Sequence, residues 1–182
     1  DKSTNLEGYF FAKDNSKKAY VQPVVGNGHT QRDNVYTVGG RIGNVAEKEK
    51  IDITSQGEIA YQFGNFIDDV DHQSDRQAWA AESAVTVGFK QMKYTPSLTL
   101  LAAYFSGKKD PSDSEEQDKN YKGWDPMFEN QTFGDIANQN FDQSNIRLLG
   151  MIGTMKPTND VTLKGEYYAF WFDQMYPNQL TA

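Results

Sequence analysis

Glu58 and Glu82 are the residues of this sequence whose type and placement most readily suggest chemistry. Each lies in a run of alternating polar and apolar residues, on the polar side of its own run. If the two runs are neighbouring strands, both carboxyl groups face the same way and could serve as general acid and general base, as in glycoside hydrolysis. A hydrolase is therefore one reading. Against it, alternation already demands something polar at both positions. His29 and His72 fall in connecting segments without a matched nucleophile, so no serine–histidine arrangement is available. No catalytic residue is assigned.

The same polar faces carry Lys13, Arg41, Lys90, Arg147 and Lys164 together with Glu7, Asp52, Glu58, Glu82 and Glu166. If these faces line a lumen, Arg41, Arg147, Lys90, Lys164, Glu58 and Glu82 mark the path of a solute. Arg41 and Arg147 lead, because a guanidinium forks onto carboxylate or phosphate and stays charged at any relevant pH. A path for a polyanion should be lined mainly by lysine and arginine. Here bases and acids balance, which also fits opposite charges pairing across neighbouring strands.

Positioning these side chains requires long strands. Period-two patterns predict seven, over 6–13, 35–43, 52–63, 78–92, 97–106, 145–156 and 161–172, most near the roughly 9–11 residues of a tilted membrane strand. The third sets Ile53, Ser55, Gly57, Ile59, Tyr61 and Phe63 against Asp52, Thr54, Gln56, Glu58, Ala60 and Gln62, one side for lipid and the other for water. A soluble sandwich also alternates, but its strands are shorter, about 5–6 residues. The connections separate the two: 14–34, 64–77 and 107–144 are long, while 44–51, 93–96 and 157–160 are short. Such strict alternation fits an up-and-down outer-membrane barrel with short periplasmic turns and long extracellular loops. Lys93-Tyr94-Thr95-Pro96 and Pro157-Thr158-Asn159-Asp160 supply the turn residues.

The long loops are acidic, with Asp68, Asp69, Asp71 and Asp75 in one and Asp110, Asp113, Glu115, Glu116 and Asp118 in another. Neither has the glycine and glutamate spacing of an EF-hand, and no metal site is assigned. The last long loop also holds Tyr121, Trp124, Met127, Phe128 and Phe133. These could bind a surface partner, making the barrel an anchor for an interaction module. The preferred reading folds them inward, with Trp124, Asp125, Met127 and Phe128 as a gate.

Composition excludes several classes. Cysteine is absent and histidine occurs twice, so disulfides, thiolate zinc sites and histidine-rich metal sites are not available, and no cofactor is implied. A net charge of −7 is unsuited to nucleic acid. No apolar run approaches the roughly 18 residues of a membrane helix, and DKSTNLEG has no hydrophobic targeting core, so any crossing of a membrane uses strands. The low mean hydropathy is compatible with strands that show lipid only every second residue.

Five segments in order, YTVGGRIG (36–43), GEIAYQFG (57–64), PSLTLLAAYFSGKKD (96–110), GWDPMFENQTFG (123–134) and QSNIRLLG (143–150), resemble the alginate-export family of outer-membrane barrels. The turn at Ser106-Gly107-Lys108 has lysine where that family has an acid, and Glu129-Asn130 follows Phe128 where proline is usual. The resemblance implies an all-β, antiparallel, up-and-down transmembrane barrel in the outer membrane, passing a polar or anionic solute or polysaccharide. Its expected partners are outer-membrane lipid, that solute and other envelope proteins. Seven strands are too few for the family, barrels close with even numbers, and PNQLTA lacks a terminal aromatic strand. Residues 1–182 are therefore expected to form a single, partial barrel domain.

Overall fold

The structure is a computed structural model, and it describes residues 2–15, 33–67, 73–108, 120–127 and 143–174. Period-two alternation builds seven long strands: β1 (Lys2–Asn15), β2 (Asp33–Glu47), β3 (Ile51–Ile67), β4 (Gln73–Phe89), β5 (Ser97–Phe105), β7 (Ile146–Met155) and β8 (Leu163–Phe172). The two-residue β6 (Asn120–Tyr121) lies between β5 and β7. The long strands form one antiparallel up-and-down sheet in the order β1-β2-β3-β4-β5-β7-β8, with β6 added parallel to β4 at Asp75 and Arg76. The sheet is open, with β1 and β8 at its two ends, as in part of a barrel wall.

All seven expected strands are present, and several of their boundaries move for physical reasons. Alternation in β3 and β4 runs beyond 63 and before 78, so these strands reach Ile67 and start at Gln73. At its other end β4 stops at Phe89, because residues 90–96 reverse the chain. Tyr94 and Thr95 there adopt left-handed φ of 71° and 41°, and Phe89 N–H donates to the Pro96 carbonyl at 2.9 Å. β2 extends to Glu47, leaving only Lys48, Glu49 and Lys50 before β3.

Register makes the two faces different. The outward face exposes large apolar residues, among them Leu6 (78%), Ile59 (56%), Leu100 (55%) and Leu149. A ladder of rings crosses it through Phe10–Tyr36 (6.3 Å), Tyr36–Phe63 (5.5 Å) and Tyr61–Trp79 (4.5 Å). The inner face is the one onto which residues 120–127 fold. Ala80, Ala103, Phe105, Ile146 and Leu148 are buried there, with Leu101, Trp124, Tyr168 and Phe170 packed against them.

Candidate functional site

A single line of register pairs crosses the inner face: Glu7 opposite Arg41, Arg41 opposite Glu58, and Glu58 opposite Glu82. Strand pairing with a two-residue side-chain period is what brings these four together, since residues paired across strands point the same way. Arg41 Nε and Nη2 each lie 2.8 Å from Glu58 Oε2, and Nη1 lies 3.8 Å from Glu7. The Tyr9 hydroxyl donates to the other oxygen of Glu58. Its ring reaches that far because Gly39 is its cross-strand partner; any side chain at 39 would occupy the ring's place. Glu58 is thus held from both sides. Glu82 is not: its Oε1 is buried and, among the described residues, receives no hydrogen bond.

Residues 120–127 cover this line from the loop end. The Tyr121 ring stacks on Phe66 at 3.6 Å, and the Arg76 guanidinium lies 4.9 Å from the Tyr121 ring. Arg76, 3% exposed, also donates to the Gly123 carbonyl (3.3 Å) and pairs with Asp33 (3.4 Å). Trp124 N–H donates to the Ser106 carbonyl at 3.0 Å, while the Ser106 hydroxyl donates to the Lys122 carbonyl at 2.6 Å. At Asp125 the Gln62 amide copies a strand pairing: its Nε2 donates to the Asp125 carbonyl (2.7 Å) and its Oε1 accepts from the Asp125 N–H (2.9 Å). Lys13 Nζ sits 3.1 Å from the Asp125 carboxylate, and the Thr37 hydroxyl donates to the Met127 sulfur at 2.8 Å. Between segment and wall lies a cavity of about 410 Å³, bordered by Tyr9, Arg41, Glu58, Glu82, Trp124 and Asp125 among others.

The expected path residues divide. Arg41, Glu58 and Glu82 meet in the charged line, and Lys13 joins Asp125 above it. Lys90 stands at the short-turn end, where the Asp52 carboxylate 2.6 Å away raises its pKa above the ordinary lysine value. Lys164 lies on the inner face beside Glu166, with which it forms an ion pair. Arg147 does not belong with them. Ile146 and Leu148 take the inward positions of β7, so Arg147 points outward, between Tyr104 and Trp171 in the register, and pairs with Asp173 (Nη2 2.5 Å, Nε 3.0 Å). Partial burial pushes the Asp173 carboxyl up, but hydrogen bonds from Arg147, the Gly107 N–H and Gln174 outweigh it and hold the pKa below the usual aspartate value.

Of the residues expected to form a gate, Trp124, Asp125 and Met127 lie against the inner face, and Phe128 lies outside the described residues. So do His29, His72, Phe133 and every acidic loop residue named above except Asp75. The alginate export family matches residues 2–177. The chain belongs to the alginate-export family. Alginate-export proteins are outer-membrane β-barrels that serve transport, which agrees with the open antiparallel wall and with its outward apolar face. No curated protein and no solved structure matches the chain.

Gln62, Tyr9 and Arg76 were not singled out in the sequence. Tyr9 carried a signal, an aromatic on the polar side of its strand alongside Glu7 and Lys13. Arg76 would have emerged by continuing the alternation of Ala78 and Ala80 two residues back.

Proposed function

We propose that residues 1–182 form one stretch of the wall of an outer-membrane channel that passes a polar solute or polysaccharide along its inner face. Further strands would be needed to close it, since open strand edges are not stable in lipid. The reading rests on one observation: the polarity is inverted relative to a soluble protein. Leu6, Ile59 and Leu100 are exposed on the outside, while Arg41, Glu58 and Glu82 line the inside beside a cavity. In this reading the outward face meets lipid, the ring ladder lies at a headgroup level, and the long loops are extracellular.

Residues 120–127 act as a constriction. Tyr121 and Trp124 are turned onto Phe66 and Phe105 rather than presented to a partner, which favours a constriction over a surface-binding loop. The contacts that hold this segment need not break for solute to move, because the cavity lies between the segment and the wall. The intact protein in liposomes should give solute-dependent swelling with neutral oligosaccharides. Vesicles containing correctly inserted protein that remain impermeable to all of them would overturn the channel reading.

A further inference from the structure

In the channel reading, lipid accounts for the exposed apolar residues of the outward face, but it does not account for Phe11. Phe11 is 46% exposed and lies on the inner face, bordering the cavity beneath residues 120–127. Tyr9, two residues earlier on β1, is its neighbour, with ring centroids 5.0 Å apart. Tyr9 is fixed in place. Its hydroxyl donates to Glu58, and the tip of its ring lies across the spot that a side chain at Gly39 would take, so the ring rests on the backbone of β2 and turns a face to the cavity. Trp124 borders the same cavity from the covering segment, backed by the buried Phe105 at 6.2 Å and tied to the wall by its N–H bond to the Ser106 carbonyl. β1 and β5 are four strands apart, about 19 Å along the wall at the usual strand spacing, so the rings stand at two sides of the cavity. The floor between them is polar: Arg41 and Glu7, both half-exposed, lie 3.8 Å apart there.

We propose that Tyr9, Phe11 and Trp124 form a saccharide subsite that takes sugar rings by their C–H faces, with Arg41 and Glu7 meeting the hydroxyls. The subsite presupposes the channel reading and specifies how that channel holds a sugar polymer. A pyranose carries its hydroxyls around the rim and C–H groups on its faces. Those hydrogens are weakly positive and the face of an aromatic ring is negative, so stacking is favourable and also removes apolar surface from water. The hydroxyls need donors and acceptors together, which a guanidinium beside a carboxylate supplies. Tyr9 and Trp124 are already held by the wall and lose little freedom when a sugar arrives. Such contacts recognise the ring and not its charge, so they serve neutral and acidic sugars alike. Each is weak, as a passage requires, since the solute has to leave again. The volume, about 410 Å³, falls within the roughly 300–1,000 Å³ of small-ligand sites.

The test is transient block of the single-channel current of the intact protein in planar bilayers. The probes are a linear glucan hexasaccharide and a polyethylene glycol of the same mass, which has no ring faces. In the wild type the hexasaccharide should dwell longer than the polyethylene glycol. Phe11→Leu, which keeps an apolar side chain and removes the ring, should lower the ratio of the two dwell times by at least about threefold. Trp124→Leu should lower it too, and carries the comparison if Phe11→Leu forms no channel. A change in bore alone would alter both dwell times and leave their ratio unmoved. Equal dwell times in the wild type, or an unchanged ratio in conducting variants, overturns the subsite and leaves the channel intact. A wild-type protein that inserts but never conducts overturns the channel reading, and the subsite falls with it.

Discussion

One register line divides the inner face into two halves that share a backbone and differ in everything else. On β1 to β4 it reads Glu7, Arg41, Glu58, Glu82; continuing across β5, β7 and β8 it reads Ala103, Leu148, Phe170. The second half is packed: Phe105 and Leu148 are 2% exposed and Trp124 leans on Phe105. The first half keeps charge and a cavity. The covering segment lies between β5 and β7 in the sequence and is fastened to both halves, through Gln62 and Lys13 on the charged one and through Ser106 and Phe105 on the packed one. Apolar packing is concentrated in one half, and charge and the cavity in the other.

The largest expected effect breaks that comparison if it fails. Phe105→Ala should destabilise the folded protein by about 3–5 kcal/mol, because a fully buried ring is lost from a closed cluster. Glu82→Gln should cost little or nothing, since one oxygen of this carboxylate is buried with no hydrogen bond among the described residues and the amide keeps the shape. Urea unfolding from vesicles measures both; equal losses would mean that the two halves do not divide the work.

Gln62→Ala comes next. It leaves the Asp125 N–H and carbonyl without their partner, at about 1–3 kcal/mol, and should loosen the segment enough to raise single-channel conductance. Unchanged conductance would separate the segment from the passage. Lys13→Met should have a smaller effect on stability, at most about 1 kcal/mol, because the pair with Asp125 is partly open to solvent.

The smallest effect sharpens the apolar half. The Asp173 pKa is lower in the folded state than in the unfolded chain, so its stabilisation is present above the unfolded value and is lost as pH falls through the folded one. An acid titration of unfolding should show this loss in the wild type and a flatter profile in Arg147→Gln. Identical profiles would show that the outward pair contributes nothing.

The fold was legible because alternation and loop length are local. Seven long strands, their neighbours and the shared orientation of Glu58 and Glu82 all follow from period two and short turns. The site was legible only where alternation was unambiguous. β7 reads Ile146, Arg147, Leu148, Leu149, with apolar residues at both parities, so the charge of Arg147 suggested an inward position that the packing of Leu148 against Phe105 rules out. The seat of the covering segment could not be read either. A glutamine pairing with a backbone 63 residues away leaves no periodic trace, and β6 is too short to have one.

The central claim is that lipid covers one face and water fills the other, and two positions of β3 test it directly. Gln56 and Ile59 are both exposed on the isolated sheet, on opposite faces. The chain contains no cysteine, so a single cysteine at either position reports its own surroundings. In intact outer membranes, a water-soluble maleimide should label Gln56→Cys and leave Ile59→Cys unlabelled until detergent is added. Equal labelling of the two before detergent, or labelling of Ile59→Cys alone, would contradict the account.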